Sequence, residues 1–556
     1  MNKKVCSFPI LFALLALLIG TCAVVFPASA QAAPTSTGSI TVSGTVASSY
    51  DAYQIFSANV VDGDSDAKIA TDLAWASDAV RDAALPVLHS AGMPNSQTTA
   101  QEAAEWLNTD SHLTSALSAQ LARSLQSSGA VPVALNAGTA AELPCGYWLI
   151  VADDDAIAQG EAGTAPIMAL VGGSAVTVKP KAATPKVAKH VLEDGTAAWQ
   201  KAADATVADD LYWRLSATVP AGLTAYDTYT VRFVDTMSAG LDPSKVAASM
   251  RVYVAAGADG GFDAVQTGKD GRASTEPAKG WTDITAQCAT KVAADGKTFT
   301  VRTGDLVAAL GGADAFTAGA RVVTVYDAPL ASGCNHGIAK GNPNEVYLRY
   351  PRSPFADQSG DAGFTHTPSD DACAYTWDLA LTKRGSDGDK PLAGAVLSIA
   401  DDRGRTLAAD GTWDAEGKAT VTTGEDGRVT VSGVDSGKLE VRELKAPKGY
   451  TAFEGTRSVT VKAEGLDVDQ VAAAKPKLTI TAESPLRADS ADGSTGSLEA
   501  SIINTPTGTP PSITTGGFMP STGDMAMYAA AAAAVAGAAL IVVALLVKRG
   551  GGSHKE

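Results

Sequence analysis

The stretch Trp377-Asp378-Leu379-Ala380-Leu381-Thr382-Lys383 alternates large apolar residues with smaller or polar ones. Successive side chains of a strand point to opposite faces, so Trp377, Leu379 and Leu381 share a face and Lys383 comes next on it. Two later stretches behave in the same way. Leu439 and Val441 lead to Glu443, while Leu498, Ala500 and Ile502 lead to Asn504. The pattern predicts a mainly β domain over residues 376–506. Three polar groups that each continue an apolar face predict one buried cluster, because a single buried charge is costly unless it is paired. The alternative is a plain buried Lys383–Glu443 ion pair.

Towards the N-terminus, residues 183–375 also read as all-β. Leu211, Trp213, Leu215, Ala217 and Val219 alternate, and so do Tyr229, Val231 and Phe233, with Asp235 next in phase. Lys189 lies in phase with Val187 and Val191. An inward Asp must be paired or protonated. Arg352 follows Val346, Leu348 and Tyr350 in the inward phase, and Asn344 shares that phase. A buried salt bridge of Asp235 with Lys189 and Arg352 is therefore one expectation for this domain.

Residues 31–182 mix strands and helices. Gly38 to Val46 and Gly146 to Val151 read as strands, and Asp110-Ser111 is expected to cap a helix bearing Leu113, Leu117, Leu121 and Leu125. The domain ends in Val176-Thr177-Val178-Lys179-Pro180-Lys181, with the valines facing in and both lysines facing out.

The ends are of a different kind. Lys3 and Lys4 precede an apolar stretch, and Ala28-Ser29-Ala30 fits a cleavage site, so residues 1–30 are expected to be a signal peptide forming an N-terminal signal helix. Residues 507–518 form a Pro/Gly/Thr-rich linker to Met519-Pro520-Ser521-Thr522-Gly523. The uncharged run 525–547, at about 1.5 Å per residue, is long enough to cross a bilayer core of about 30 Å as a transmembrane helix. Lys548 and Arg549 then hold the tail 548–556 in the cytoplasm.

The chain carries a formal net charge of −17. Loss of both ends makes it more acidic, since they hold Lys3, Lys4, Lys548, Arg549 and Lys555 against Asp524 and Glu556. Such a surface argues against nucleic acid as a partner. Cys145, Cys288, Cys334 and Cys373 remain in an oxidising compartment, and a Cys334–Cys373 disulfide is expected because it closes a Gly/Pro/Asp-rich connection. No Cys/His spacing suits a metal, no cofactor motif is present, and no Ser/His/Asp, Cys/His or carboxylate-pair arrangement points to an enzyme.

Met519-Pro520-Ser521-Thr522-Gly523, the apolar run and the basic tail together resemble the cell-wall sorting signal of Gram-positive bacteria, with Met519 in place of the usual Leu. The resemblance implies cleavage by a sortase between Thr522 and Gly523 and transfer of the Thr522 carbonyl to an amine. Val178-Lys179-Pro180-Lys181 resembles the pilin motif of sortase-assembled pili, commonly Val-Tyr-Pro-Lys. That implies Lys181 as the attacking amine of the next subunit, with Lys179, standing where the Tyr would be, as its rival.

Asp235-Thr236-Met237-Ser238-Ala239-Gly240-Leu241 looks like the Asp-Thr-Leu-Ser-X-Gly-Leu segment of backbone-pilin middle domains, which carry an internal Lys–Asn isopeptide bond beside an acid. Here Arg352 stands where the Asn would be. No Lys189 bond is therefore expected, and Asn344 is the fallback acceptor. In the third domain Glu443-Leu444-Lys445-Ala446-Pro447-Lys448-Gly449-Tyr450 resembles the pilin E-box. Lys383 and Asn504 match the Lys and Asn of collagen-adhesin B-type immunoglobulin-like domains. The resemblance implies tandem immunoglobulin-like β-sandwiches, and a self-made Lys383–Asn504 isopeptide bond in which Glu443 hydrogen-bonds the amide oxygen and shuttles protons. Desolvation favours a neutral amine and a neutral acid for that chemistry.

The whole mature chain resembles a backbone pilin of Gram-positive sortase-assembled fimbriae. This implies a secreted, wall-anchored structural subunit with a membrane-retained precursor. Its implied partners are sortases, identical subunits and peptidoglycan, with accessory pilins and a host receptor as further candidates. The alternative is a monomeric wall-anchored adhesin, or a tip or base pilin, which would not need Lys181.

Overall fold

The structure is a computed structural model that describes residues 36–64, 67–109, 112–163, 165–180, 184–268 and 270–508. The signal peptide, Lys181, the sorting pentapeptide and the apolar run 525–547 lie outside the described residues. Among the described residues no helix is long and apolar enough to cross a membrane. The chain is mainly β, with several β-sandwich bodies and few helices.

In the first body the long strand Ser49–Asp62 is flanked by Lys68–Trp75 and Gly146–Ala152, with Ile167–Val171 beyond. A smaller sheet has Thr37–Val42 at its centre, antiparallel to Ala140–Pro144 and parallel to Val176–Val178. Helices Asp78–Ser90, Ala100–Leu107 and Ser115–Ser127 fill the connection between Trp75 and Val133. Their apolar stripes, which include Leu88, Leu117, Leu121 and Leu125, pack onto Phe56 and Leu149 of the larger sheet. Each helix is capped by a hydroxyl that satisfies an otherwise free backbone N–H: Ser77, Thr99 and Thr114. Thr99 and Glu102 form a reciprocal capping box. The third helix thus starts one turn later than Asp110-Ser111 would set it. Leu113 stays exposed in front of it, and Asp110 and Ser111 lie outside the described residues. The first strand also ends at Val42 rather than Val46.

The middle body packs two sheets face to face. One is built on Lys186–Glu193, Tyr212–Val219, Ala320–Asp327 and Arg251–Ala256; the other on Asn342–Pro351, Arg232–Met237 and Thr298–Arg302. Trp213, Leu215, Ala217 and Val219 meet Phe233, Val346 and Leu348 in a shared core. One-turn helices at Val246–Ser249, Leu306–Ala309 and Ala313–Phe316 interrupt what the sequence reads as all-β.

In the third body Trp377–Gly385 pairs antiparallel with Arg428–Val434 and parallel with Ser497–Pro506. The first and last strands of the body are therefore direct neighbours. The facing sheet holds Val396–Ala400, Gly437–Lys445, Thr456–Glu464 and Lys477–Ala482.

Strand Asp370–Tyr375 joins the second and third bodies. Its alternation sends Ala372 and Ala374 into the middle core and Cys373 and Tyr375 into the third core. This corrects the expected Cys334–Cys373 disulfide. Cys334 packs against the middle core, Cys373 faces the other way, and all four described cysteines are free.

Candidate functional site

Two buried polar clusters stand out, one in each of the last two bodies. In the third body the period-two faces of three strands bring Lys383, Glu443 and Asn504 together at 0, 7 and 2% exposure. In the parallel register Lys383 lies opposite Ile502 and Gly385 opposite Asn504, so the two side chains are diagonal neighbours on one sheet. Glu443 reaches them from the facing sheet. Lys383 Nζ donates to Asn504 Oδ1 and lies 3.1 Å from Glu443 Oε1. Asn504 Nδ2 donates to the same carboxylate oxygen at 2.8 Å. The second oxygen, Oε2, accepts from the Phe453 backbone N–H at 3.0 Å, and the Phe453 ring lies 5.6 Å from the Lys383 amine. Burial lowers the Lys383 pKa to about 8, against the opposing pull of Glu443. The carboxylate stands at the amide nitrogen rather than at the amide oxygen that the resemblance implied, which places it beside the atom that would leave as ammonia.

In the middle body Lys189, Asp235 and Asn344 are each 0% exposed. Lys189 pairs with Asp235. Tyr326, from strand Ala320–Asp327, joins them: Lys189 Nζ donates to its hydroxyl at 2.9 Å, Asn344 Nδ2 donates to it at 2.8 Å, and the hydroxyl donates to Asp235 Oδ2 at 3.0 Å. Burial lowers the Lys189 pKa to about 8 and raises that of Asp235. Asp235 Oδ1 and Asn344 Oδ1 are buried without a hydrogen-bond partner among the described residues.

Arg352 takes no part in this cluster, which corrects the expected three-membered salt bridge. Its strand ends at Pro351, and the guanidinium turns out to donate to the Asp154 carbonyl of the first body at 3.2 Å and to the Ala362 carbonyl. The Arg352 carbonyl accepts from Gly163 N–H at 2.6 Å. Arg352 is thus a stitch between the first two bodies.

Two features escaped the sequence reading. Tyr326 lies on a strand buried along nearly its whole length, so no alternation marks its face. The junction of the second and third bodies gathers Glu193, Asp194, Asp204 and Asp435. Asp204 Oδ2 accepts from Trp377 Nε1 at 2.6 Å and from the Ser436 backbone N–H at 3.0 Å. Nothing local in the sequence signals that meeting of distant segments.

At the end of the first body Val178 is buried, Lys179 is exposed and Pro180 is buried. Lys179 therefore presents its amine to solvent just beyond the parallel strand Val176–Val178.

Residues 378–475 match the family model of SpaA, a prealbumin-like fold domain. The trypsin-resistant surface T6 protein of Streptococcus pyogenes serotype M6 is 30% identical over 129 residues, which cover 22% of this chain and 22% of that protein. The match thus spans about a fifth of that relative's length. Among solved structures, the T6 backbone pilin of serotype M6 Streptococcus pyogenes is 17% identical, covering 85% of this chain and 98% of that one at a TM-score of 0.45. The full-length major pilin SpaD from Corynebacterium diphtheriae is 14% identical, covering 85% and 98% at a TM-score of 0.40.

Proposed function

We infer that this chain is the structural subunit of a covalently polymerised, wall-attached pilus shaft. It is built of tandem immunoglobulin-like sandwiches and is exported by a signal peptide. A C-terminal helix retains its precursor in the membrane. A sortase joins Thr522 of one subunit to Lys181 of the next and finally to peptidoglycan. The chain itself serves as sortase substrate and not as an enzyme acting on other molecules.

The single observation that carries the reading is the buried Lys383–Glu443–Asn504 cluster across the first and last strands of the third body, on a chain that also holds the sorting signal. Lys383 transfers a proton to Glu443 and the neutral amine attacks Asn504 Cγ; Glu443 then gives that proton to Nδ2, takes the surplus proton from the newly bonded nitrogen, and ammonia leaves as the carbonyl re-forms. The resulting bond ties the two ends of the body together. Load entering at Trp377 then leaves at Pro506 without passing through the strands between. By the loop model used for disulfides, such a link is worth about 4–5 kcal/mol. In the middle body the expectation of no Lys189 bond gives way to the corresponding reading, with Asn344 as acceptor and Asp235 as the acid, because all three are fully buried and gathered around Tyr326. The surface location and trypsin resistance in the T6 relative's name accord with a covalently braced surface protein.

The test is the cell-wall extract run in SDS. Ladders of high-mass polymer are expected, and Lys181→Ala is expected to abolish them while leaving monomer on the wall. Loss with Lys179→Ala alone would move the nucleophile by two residues. Ladders in neither wild type nor variant would favour the monomeric adhesin or accessory pilin.

A further inference from the structure

We propose that Tyr326 is a catalytic residue of the middle body, carrying protons between Asp235 and the amide nitrogen of Asn344 as Lys189 and Asn344 become linked. The proposal rests on the middle-body cross-link read above and adds to it a group absent from the third body's cluster.

Reach separates the two clusters. In the third body the acid is a Glu, and it touches the amide nitrogen directly at 2.8 Å. In the middle body the acid is an Asp, shorter by one methylene, and its hydrogen bonds go to Lys189 and Tyr326. The Asn344 nitrogen instead meets the Tyr326 hydroxyl at 2.8 Å, which itself meets Asp235 at 3.0 Å. A hydroxyl offers one proton and two lone pairs. Here the proton goes to Asp235, and the lone pairs take Lys189 and Asn344. Every group that must exchange a proton is therefore one hydrogen bond from Tyr326.

The steps balance. The Lys189 ammonium gives a proton to Asp235. The neutral amine forms a C–N bond to Asn344 Cγ, and the carbonyl electrons move to Oδ1. Tyr326 passes its hydroxyl proton to Nδ2 and is refilled by Asp235. Asp235 then takes the surplus proton from the newly bonded nitrogen. The Cγ–Nδ2 bond breaks, the carbonyl re-forms, and ammonia leaves. Asp235 ends as a neutral acid in a dry core, the form that its burial favours.

The experiment follows the joined tryptic peptide of Lys189 and Asn344 over time after cell-free synthesis of the full chain, with the Lys383–Asn504 peptide as internal control. Wild type is expected to yield both. Tyr326→Phe, which keeps the ring and its packing, is expected to slow the first by about 10²-fold or more, the range for loss of a general acid–base group, and to leave the second unchanged. Adding Asp235→Glu to Tyr326→Phe lengthens the acid to the reach of Glu443 and is expected to restore linkage, which a merely unfolded variant would not show. If wild type links and Tyr326→Phe links equally fast, the relay falls and the cross-link stands. If Tyr326→Phe is slow and Asp235→Glu does not rescue it, the relay also falls. If wild type never joins Lys189 to Asn344, both fall.

Discussion

Glu443 is placed so that one oxygen meets both the Lys383 and the Asn504 nitrogens while the other is held by the Phe453 N–H. A carboxylate anchored at one oxygen cannot swing away, so its free oxygen is already oriented for proton transfer. Glu443→Ala is therefore expected to leave the third body folded but unlinked. Its intact mass should equal the value calculated from its own sequence, whereas wild type should fall about 17 Da below its calculated value for each bond, the ammonia lost. The same deficit of about 17 Da in Glu443→Ala would remove Glu443 from the reaction. The same residues give a pH signature. In an Asn504→Ala chain Lys383 stays a free amine. Burial holds it at about 8 in the folded cluster, against about 10.4 when unfolded. The unfolded chain then binds the extra proton between those values, so the stability of the variant rises with pH from about 8 to about 10.4. Wild type, with the amine consumed, should lack that rise. Urea midpoints measured across the window for both chains decide it, and parallel curves would mean that Lys383 is still free in wild type.

At the scale of elements, strands with one wet face were legible and strands without one were not. Trp377–Gly385, Gly437–Lys445 and Ser497–Pro506 alternate because the outer side of each carries polar residues, and that is what puts Lys383, Glu443 and Asn504 in phase. Ala320–Asp327 is covered on both sides. Tyr326 faces the main core, and Val323 and Val325 face a smaller one beneath Trp199 and Trp281. Its sequence therefore carries no face information. Arg352 shows the opposite error, a period carried past the strand's last residue, Pro351. Once the strand ends, the phase rule no longer applies, and the guanidinium is free to bridge to the Asp154 carbonyl. Arg352→Ala should then cost about 1.5–3 kcal/mol, the range for a hydrogen bond from a charged group. It should also speed proteolysis in the 153–163 segment without changing either cross-linked peptide. An altered Lys189 peptide would return Arg352 to the middle cluster.

At the scale of the whole molecule, the second junction holds the middle and third bodies together through several independent contacts. Strand Asp370–Tyr375 contributes to two cores, Arg403 and Arg405 both grip Asp209, and Trp377 and Ser436 both donate to Asp204. Yet four carboxyls meet there. Glu193 is buried, and burial with the nearby charge of Asp204 and Asp194 pushes its pKa up to about 8. Burial also raises Asp435, which shares a hydrogen bond with Asp194. The cations nearby are already engaged: Arg403 lies 3.5 Å from Asp194 and 2.9 Å from Asp209, and Arg405 bonds Asp209 and Asp401. A carboxyl raised above its unfolded value of about 4.3 is protonated in the folded chain, where the unfolded chain would have lost the proton. Its contribution is complete below about pH 4.3 and is lost as pH rises through about 8. The junction is thus expected to loosen between pH 5 and 8, while the bodies on either side stay folded. Glu193→Gln cannot ionise, so its unfolding midpoint should fall less steeply than that of wild type over the same interval. Identical slopes would show that Glu193 is charged at the junction and that its neighbours already compensate it.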